Sequence, residues 1–312
     1  MVGPERARYP TKIARMQSDA AWADAAGLDS VWVPQIPDEF DAMTAVVLMA
    51  TTTSRVELGT AVVPVQTRHP IALVQQALST QMACAGRFAL GLGPSHHWIV
   101  ESMLGLSYER PAAQVDALLD VLDAAFVGPG MVDVENEFHR IHNNVDITDQ
   151  APPAVLLAAL GPVMLRIAGE RTDGTILWLA DERAIGDFIA PRINQAASNA
   201  RRPAPRIVAG VPVCLCRPSD TERARSRAAR VLSEAEISPN YQRLLDRGDA
   251  TGVADILAAG DESAIRARFE AFASAGVTDL SLRVVPIGDD RDELLASMAR
   301  TRELIAHIAT EH

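Results

Sequence analysis

Residues 87–97 read Arg-Phe-Ala-Leu-Gly-Leu-Gly-Pro-Ser-His-His, and this stretch decides the fold. Phe88 to Leu92 are apolar or small throughout, which is typical of a strand buried on both faces. Gly93-Pro94 ends the strand, because proline has no N–H for a sheet and glycine tolerates the backbone of a tight turn. The Ser-His-His-Trp sequence at 95–98 therefore places several polar groups directly after a buried strand.

Further short strands are predicted along the chain, and helical patterns separate them. The other strands are predicted at Met1–Gly3, Ser30–Val33, Val56–Val63, Val155–Ala158, Thr175–Leu179, Ile207–Cys216 and Asp279–Val285. The helices are predicted at Thr11–Ala26, Phe40–Thr51, Pro70–Ala83, Pro111–Phe126, from Gly161-Pro162 onward, and at Glu182–Ala200, Ser219–Ala235, Asp261–Ala275 and Asp290–Ile308. Apolar strands without alternation indicate strands buried on both faces, and hence a parallel sheet covered by helices. These units predict an α/β fold, a (β/α)8 TIM barrel, with residues 1–312 as one domain.

Two regions depart from this alternation. The Gly-Pro-Gly at 128–130, the alternating Val132 and Val134, and Asn143-Asn144 predict a small hairpin-like excursion near 128–150. The region near 236–260 is less regular and predicts a long connection with short helices. Met1–Gly3 looks like the end of a strand rather than a whole one. An open doubly wound sheet is the alternative fold, but Gly91-Leu92-Gly93 lacks the third glycine of its dinucleotide-binding motif.

Composition narrows the classes of partner. The formal net charge of −11 argues against nucleic acid and against an anionic membrane surface. Three cysteines without metal-like spacing fit a reducing cytoplasm, and the charged N-terminus lacks the apolar core of a signal peptide. No apolar run approaches the ~20 residues that span a bilayer. We therefore expect a cytoplasmic protein that binds neither nucleic acid nor membrane.

The predicted strand ends exclude several kinds of barrel chemistry. Lys12 is the sole lysine and lies on a predicted helix, which excludes a Schiff-base aldolase and a Tyr/Lys aldo-keto reductase. No pair of carboxylates ends the strands as a retaining glycosidase requires, and the first strands carry no histidine for a metal-dependent hydrolase. The ends are small and apolar instead, so a cofactor is expected to supply the chemistry. The helix start at Gly161-Pro162 could hold its phosphate, since the first-turn amides of a helix are free.

Four segments resemble the luciferase-like monooxygenase superfamily, specifically its coenzyme F420-dependent oxidoreductases. They are AGLDSVWV at 26–33, ELGTAVVP at 57–64, GRFALGLG at 86–93, and AALGP at 158–162 followed by AGERTDG at 168–174. The resemblance runs from about residue 13 to 300. It implies a (β/α)8 barrel, usually a homodimer, that binds F420 or FMN at the strand ends.

The resemblance also implies positions for the cofactor. A cis peptide bond at Ala61–Val62 would back the ring, the turn at Gly93, Pro94 and Ser95 would lie along the ring and tail, and the segment after strand five would hold the ribityl chain and phosphate. The residues of that segment are Ala158, Ala159, Gly161, Pro162 and Val163. Relatives place an Asp-His pair where this chain has Gln35-Ile36, and some place a glutamate where it has His96. The acid/base role of the Asp-His pair therefore cannot be assigned to Gln35-Ile36.

His96 and His97 are the predicted catalytic residues, because imidazole exchanges protons near neutral pH. The simpler interpretation is that either one merely orients the loop. The predicted substrate-binding residues follow or end strands, although the aromatic ones could equally be core; they are Gln35, Gln66, His69, Trp98 and Trp178. His139-x-x-His142 has no third ligand in sequence, so no metal is predicted.

The leading hypothesis is an F420-dependent oxidoreductase that transfers a hydride between the deazaflavin and an unidentified small molecule. The first alternative is an FMN-dependent monooxygenase that works with a separate flavin reductase. The second alternative is a non-catalytic barrel that binds a cofactor or ligand, which the loss of the Asp-His pair at Gln35-Ile36 keeps open.

Overall fold

The computed structural model describes residues 11–147, 149–232 and 238–311. Parallel strands alternate with helices along these residues. The strands are β1 (Ser30–Val33), β2 (Glu57–Thr60), β3 (Val63–Pro64), β4 (Phe88–Gly93), β5 (Gly130–Glu135), β6 (Arg140–Val145), β7 (Ala154–Leu157), β8 (Gly174–Trp178), β9 (Arg206–Leu215), β10 (Ala258–Gly260) and β11 (Asp279–Val284). The predicted strand at Met1–Gly3 lies outside the described residues.

One sheet holds every described strand except the β5–β6 pair. Its order is β1-β2-β4-β7-β8-β9, with β3 also paired to β4. Strand β9 is long enough to pair with two partners: β11 along Val208–Val213 and β10 along Val213–Leu215. All of these pairings are parallel, and β11 approaches β1. The sheet is therefore nearly closed into a barrel, as the sequence predicts.

Helices cover the outside of the barrel. They are α1 (Lys12–Ala25), α2 (Ala42–Ala50), α3 (Pro70–Ala83), α4 (Pro111–Phe126), α5 (Pro162–Arg171), α6 (Glu182–Ala184), α7 (Ala190–Asn199), α8 (Thr221–Leu232), α9 (Pro239–Leu245), α10 (Glu262–Ser274) and α11 (Arg291–Ala309). Helix α4 shows why they pack: Val115, Leu118 and Leu122 recur at helical spacing and are buried against the sheet. Several helices begin at a side-chain cap, as Asp261 does for α10 by accepting from the Ala264 N–H.

The inside of the barrel is filled by inward side chains from successive strands. Trp32 on β1 is fully buried there, with residues of β4, β7, β8 and β9 around it: Ala89, Leu156, Ile176 and Val208. Gly59 on β2 makes room for the indole, since a Cβ there would lie 2.3 Å from a Trp32 ring carbon. Ala61 and Val62 pack on this cluster from the mouth side. These side chains therefore fill the barrel below its mouth, the end formed by the carboxyl ends of the strands.

An ion network lies at the amino end of the strands. Arg206, the first residue of β9, donates to Glu57 at the start of β2, at 3.0 and 3.1 Å, and to Asp279 at the start of β11, at 2.6 Å. Its guanidinium carbon lies 5.9 Å from the Trp32 ring centroid. Because β2 and β9 are not neighbours in the sheet, this network crosses the barrel and holds its lower end together.

The structure corrects three predicted elements. The predicted strand at Val56–Val63 is divided into β2 and β3. The Asn143-Asn144 pair lies inside β6, and the hairpin turns at 136–139, where the Asn136 N–H donates to the His139 carbonyl. The predicted helix at Glu182–Ala200 contains a π-helical turn at Ile185–Ile189 between α6 and α7.

The connection near 236–260 contains short helices, as predicted, and one strand that was not predicted. Within its described part it forms α9, a 3₁₀ turn at Val253–Ile256 and β10, which adds a strand to the sheet. The sequence did not predict β10, because Ala-Ala-Gly has no strand pattern of its own and pairs through its backbone with β9.

Among the described residues, no helix combines the length and the apolar character needed to cross a membrane.

Candidate active site at the barrel mouth

The carboxyl ends of β2, β4 and β7 form a continuous surface of small side chains. A Cβ added at Gly93 would lie 2.8 Å from Val62 Cγ2 and 2.9 Å from Ala158 Cβ, so these three residues pack directly together. The Ala61–Val62 peptide bond is cis, as the resemblance implies. Flat, uncharged surfaces of this kind suit a planar ring, because they provide contact area and contain no polar group that needs a hydrogen-bond partner.

Thr60 explains how the cis turn fits between β2 and β4. Its fully buried Oγ1 accepts from the Gly91 N–H and donates to the Gly91 carbonyl, both at 2.9 Å. The side chain thereby replaces the backbone bonds that the turn interrupts, and pairing resumes between Val63 and Leu92. The sheet keeps its hydrogen bonds while its edge bends toward the mouth.

The turn after β4 is held from two sides. Gln66 Nε2 donates to the Pro94 carbonyl at 3.1 Å, and the Tyr108 hydroxyl donates to the Ser95 carbonyl at 3.1 Å. Ser95 has a φ of 59°, an uncommon conformation for a residue with a side chain. Such backbone strain persists only where the surroundings impose it, and it clusters at functional sites. The two anchors fix the position of the next residue, His96.

His96 lies between two aromatic side chains. Its ring stacks on Trp98 with centroids 6.0 Å apart, and Tyr241 of α9 lies 5.7 Å away on a tilted plane. Burial lowers the pKa of His96, and the charge of neighbouring His97 lowers it further. The imidazole is therefore neutral near pH 7 and able to accept a proton.

His97 and Tyr108 form the adjacent contact. Their rings meet edge to face, with centroids 6.3 Å apart. Burial raises the pKa of Tyr108, and the carboxylate of Glu101 raises it further, so the phenol stays protonated and can keep its hydrogen bond to the backbone. His97 thus packs against a residue that orients the turn.

Two buried polar atoms at the mouth have no hydrogen-bond partner among the described residues. They are Gln66 Oε1 and Trp98 Nε1. A buried acceptor or donor without a hydrogen-bond partner costs folding free energy unless another group bonds to it. Both flank the turn that carries His96, so their positions favour a site completed by a bound group.

Helix α5 begins beside this surface without a side-chain cap. Gly161 is its N-cap residue, and a Cβ there would meet nothing within 4 Å, so the space before the helix is open. Pro162 and Val163 are exposed in the first turn. An uncapped N-terminus of a ten-residue helix offers free amides and a partial positive charge to an anion.

Trp178 ends β8 on the inner side of the barrel. Gly210 on β9 leaves room for it, since a Cβ there would lie 2.4 Å from a Trp178 ring carbon. The Arg283 guanidinium of β11 lies 5.9 Å from the ring centroid. Trp178 therefore faces the interior close to the mouth.

Asp181, which follows β8, hydrogen-bonds to the connection near 236–260 that carries Tyr241 and so holds it at the mouth. Its buried carboxylate accepts from the N–H groups of Asp249 and Ala250 at 2.6 and 2.8 Å, as well as capping α6. Gly248 is required here, because a Cβ would lie 2.1 Å from Asp181 Oδ2. This anchor positions α9, and hence Tyr241, over His96.

Three predicted site residues have structural tasks. The Gln35 side-chain oxygen accepts from the Ala42 N–H at 2.8 Å, which supports the start of α2. His69 caps α3 by accepting from the Ile71 N–H at 3.3 Å. The side chain of Ala159 is fully buried in the core outside the barrel. Gln35 also lines a cleft beside the mouth, whereas the contacts of His69 and Ala159 hold a helix start and the core.

The two hairpin histidines, His139 and His142, have different surroundings. Burial lowers the pKa of His139, the charge of His69 lowers it further, and Asp120 opposes the shift. His142 is exposed and lies 3.5 Å from Asp133. Within the described ranges, no group of three or more His, Cys, Asp or Glu side chains is arranged to hold a metal ion.

Sequence reasoning missed Tyr241, Tyr108, Asp181 and Arg283. Arg283 had a signal, since it is a charged residue between the apolar Leu282 and Val284 of a predicted strand. Ser238-Pro239 could have indicated the start of α9. No local pattern shows that Tyr241 packs on His96, because those residues meet only through the tertiary fold.

The residues present fit a flavin-type cofactor. The small-residue surface of Val62, Gly93 and Ala158 can face a tricyclic ring, and the open start of α5 can take a phosphate. The scarcity of lysine does not prevent phosphate binding, because backbone amides rather than lysine side chains would bind that phosphate.

Sequence comparison finds relatives over most of the chain. The family model described as luciferase-like monooxygenase matches residues 2–279. The chain is 22% identical over 340 aligned residues to 5,10-methylenetetrahydromethanopterin reductase of Methanopyrus kandleri, covering 96% of this chain and 95% of that protein.

Solved structures share the fold over nearly the whole chain. The coenzyme F420-dependent tetrahydromethanopterin reductase of Methanopyrus kandleri superposes with a TM-score of 0.74 at 19% identity, covering 95% of this chain and 94% of that one. The oxygenating component of 3,6-diketocamphane monooxygenase from Pseudomonas putida, solved with FMN, gives 0.71 at 15% identity, covering 97% and 93%.

Proposed function

Because this chain belongs to the luciferase-like monooxygenase family, we propose that it is an F420-dependent oxidoreductase that transfers a hydride to or from a small organic substrate. The full-length likeness to a methanopterin reductase supports this choice. Both the hydride-transfer activity and the use of F420 are part of what we propose.

The packing of Val62, Gly93 and Ala158 beside a neutral His96 is the observation that carries the proposal. The mouth combines a flat uncharged surface with a half-buried imidazole that exchanges protons. Protein sites of this composition hold and orient a cofactor and leave bond-making to it.

Named residues would hold the cofactor. The three small residues would contact the ring, and the amides at the start of α5, around Gly161 and Val163, would bind the phosphate. The bound deazaflavin supplies a carbon that gives or accepts a hydride. Gln66 Oε1 and Trp98 Nε1 are available to hydrogen-bond the cofactor or the substrate.

His96 would serve as the proton-exchanging group. Its neutral imidazole can take a proton from a substrate hydroxyl, and in the opposite direction the imidazolium can give a proton to a substrate oxygen. Trp98 and Tyr241 enclose the ring on two sides, which keeps water away from it. Trp178 and His97 are the further candidates for contact with the substrate.

Titration with F420, and separately with FMN, tests the proposal. We expect saturable binding of F420, and we expect Val163→Asp to weaken it about tenfold or more, because a carboxylate at the helix start repels a phosphate. Val127→Asp, at a more exposed valine that directly follows α4, is the matched control and should bind normally. Absence of saturable binding of either cofactor overturns the proposal.

An FMN-dependent monooxygenase is the second candidate. The observation that favours it is the shared surface at the mouth, because FMN and F420 have a similar tricyclic ring, ribityl chain and phosphate. Binding of FMN without binding of F420, with oxygen uptake in the presence of a flavin reductase, would select it. Binding without turnover on any carbonyl or enone would favour a non-catalytic carrier.

Two further properties belong to this proposal. We expect a homodimer, as the family resemblance implies, and light scattering on the purified protein measures it. We expect a reducing cytoplasmic location, which the three unpaired cysteines support. Fractionation of cells that express the protein would check the location.

A further inference from the structure

A cleft of about 290 Å³ opens beside the mouth, between the loops that follow β1, β3 and β4. Pro37, Pro64, Ile99 and Leu104 supply its apolar walls. The polar side chains among its described lining are Gln35, Thr67 and Arg68.

Each of these polar side chains already has a partner in the protein. The Gln35 oxygen accepts from the Ala42 N–H, and Thr67 Oγ1 donates to the Pro64 carbonyl at 3.0 Å. Arg68 forms an ion pair with Asp41. A ligand in the cleft therefore finds apolar walls and groups whose strongest hydrogen bonds are already made.

Large exposed apolar side chains also lie on the two loops that form the cleft. Ile36 follows β1 and is 37% exposed. Met103 and Leu104 follow the β4 turn and are 52% and 37% exposed. Exposed apolar side chains grouped on neighbouring loops mark a binding surface more often than scattered single ones do.

The cleft adjoins the candidate catalytic residue. Pro64 pairs with Gly93 in the sheet, and Gln66 bonds to the Pro94 carbonyl. Ile99 begins the π-helical turn three residues after His96. A molecule that reacts at His96 can thus extend directly between Pro64 and Ile99.

We propose that this cleft binds an apolar part of the substrate, an alkyl chain or apolar ring, while the reacting carbon lies beside His96. This inference rests on the proposed function, because it specifies the substrate class for the same site. An anionic occupant is disfavoured, since the charge of Arg68 is already neutralised by Asp41. The substrate class is therefore a ketone or alcohol with a hydrophobic extension.

A series of methyl ketones from 2-butanone to 2-decanone tests the proposal by calorimetry on the full-length protein, with and without bound cofactor. Each methylene that enters the cleft should tighten binding about fourfold. The gain should stop once the cleft is full. Affinity that does not rise with chain length overturns the inference.

Leu104→Gln and Leu106→Gln form a matched pair of variants. Both leucines are similarly exposed, but Leu104 lines the cleft and Leu106 is not among its lining residues. We expect Leu104→Gln to weaken 2-decanone binding about tenfold while 2-butanone binds as before, and Leu106→Gln to change neither. Equal losses in both variants, or none in Leu104→Gln, contradict the inference.

Cofactor titration separates the two proposals. If F420 or FMN binds and ketone affinity is independent of chain length, the apolar subsite is wrong and the proposed function stands. If ketone affinity rises with chain length and Leu104→Gln reduces it, while neither cofactor binds, the subsite stands and the oxidoreductase proposal fails.

Discussion

The two ends of the barrel use similar residues in different ways. At each end an arginine guanidinium lies 5.9 Å from the centre of an indole: Arg206 with Trp32 at the amino end, and Arg283 with Trp178 near the mouth. At the amino end both of these side chains are hydrogen-bonded, since Arg206 bonds two carboxylates and Trp32 Nε1 donates to Ser30 at 2.9 Å.

The mouth leaves hydrogen-bonding capacity unused. Gln66 Oε1 and Trp98 Nε1 are buried without partners in the described part of the chain, Ser95 has a strained backbone, and the imidazole of His96 is held neutral. A folded chain tolerates such features where they serve binding or catalysis. The amino end therefore stabilises the barrel, and the mouth is where its chemistry is placed.

Replacement of His96 should have the largest effect and should change activity more than stability. We expect His96→Gln to lower cofactor-linked turnover about 10²–10⁴-fold, because the general acid–base group is lost. The assay follows oxidation of reduced F420 by carbonyl and enone substrates. The unfolding midpoint should change little, and His142→Gln on the hairpin should leave turnover unchanged. Wild-type turnover in His96→Gln would remove His96 from the mechanism.

Replacement of Arg206 should show the opposite behaviour at the other end. Arg206→Met leaves Glu57 and Asp279 facing each other without a cation, and we expect a loss of about 2–3 kcal/mol in the free energy of unfolding. Urea denaturation measures this. Arg202→Met is the control, because the ion pair of Arg202 with Asp173 is more exposed and should contribute about 0.5 kcal/mol or less. Equal losses in the two variants would show that the network does not hold the barrel.

Gly93→Ala tests the packed surface at the mouth. The new methyl group meets Val62 and Ala158, so we expect a loss of about 1–3 kcal/mol in stability together with weaker cofactor binding. Val62→Ala should restore part of both in the double variant, because it removes the methyl groups that clash. Additive losses in the double variant would show that Val62 is not the contact that matters.

The pH dependence of stability gives the smallest effect. The pKa of His96 is lower in the folded protein than its ordinary value of 6.5. The unfolded chain therefore binds the proton more readily, so stability falls as the pH drops below about 6.5 and is unaffected well above it. Urea midpoints between about pH 5 and 8 should depend less on pH in His96→Gln than in the wild type. Curves that stay parallel over this range would contradict a lowered pKa of His96 in the folded protein.

Much of the fold could be predicted from local sequence. Helices α3 and α4 begin and end where their proline starts and apolar spacing place them, and β4 lies where its apolar run predicts. The cis bond at Ala61–Val62 followed from the family resemblance. These features depend on residues that are close in the chain, so short patterns suffice to find them.

The candidate site was predicted less completely. The small residues at Gly93 and Ala158 and the open helix start at Gly161 could be placed, because strand ends of a parallel sheet meet at one edge. Gln35 and His69 were predicted to face the substrate on the same argument. The Gln35 oxygen accepts from the Ala42 N–H while its side chain lines the cleft beside the mouth, and His69 caps α3. A polar residue after a strand can face a ligand or a helix start, and spacing does not distinguish the two.

By itself the sequence determined the repeating strand–helix units, the uncharged mouth and the position of His96 after β4. Only the tertiary structure decided what surrounds His96. Tyr241 reaches it from a connection some 145 residues later in the chain, positioned by the contact of Asp181 with the Gly248 segment. Local patterns record the periodic burial of each element, whereas the environment that keeps an imidazole neutral is formed by side chains that meet only after folding.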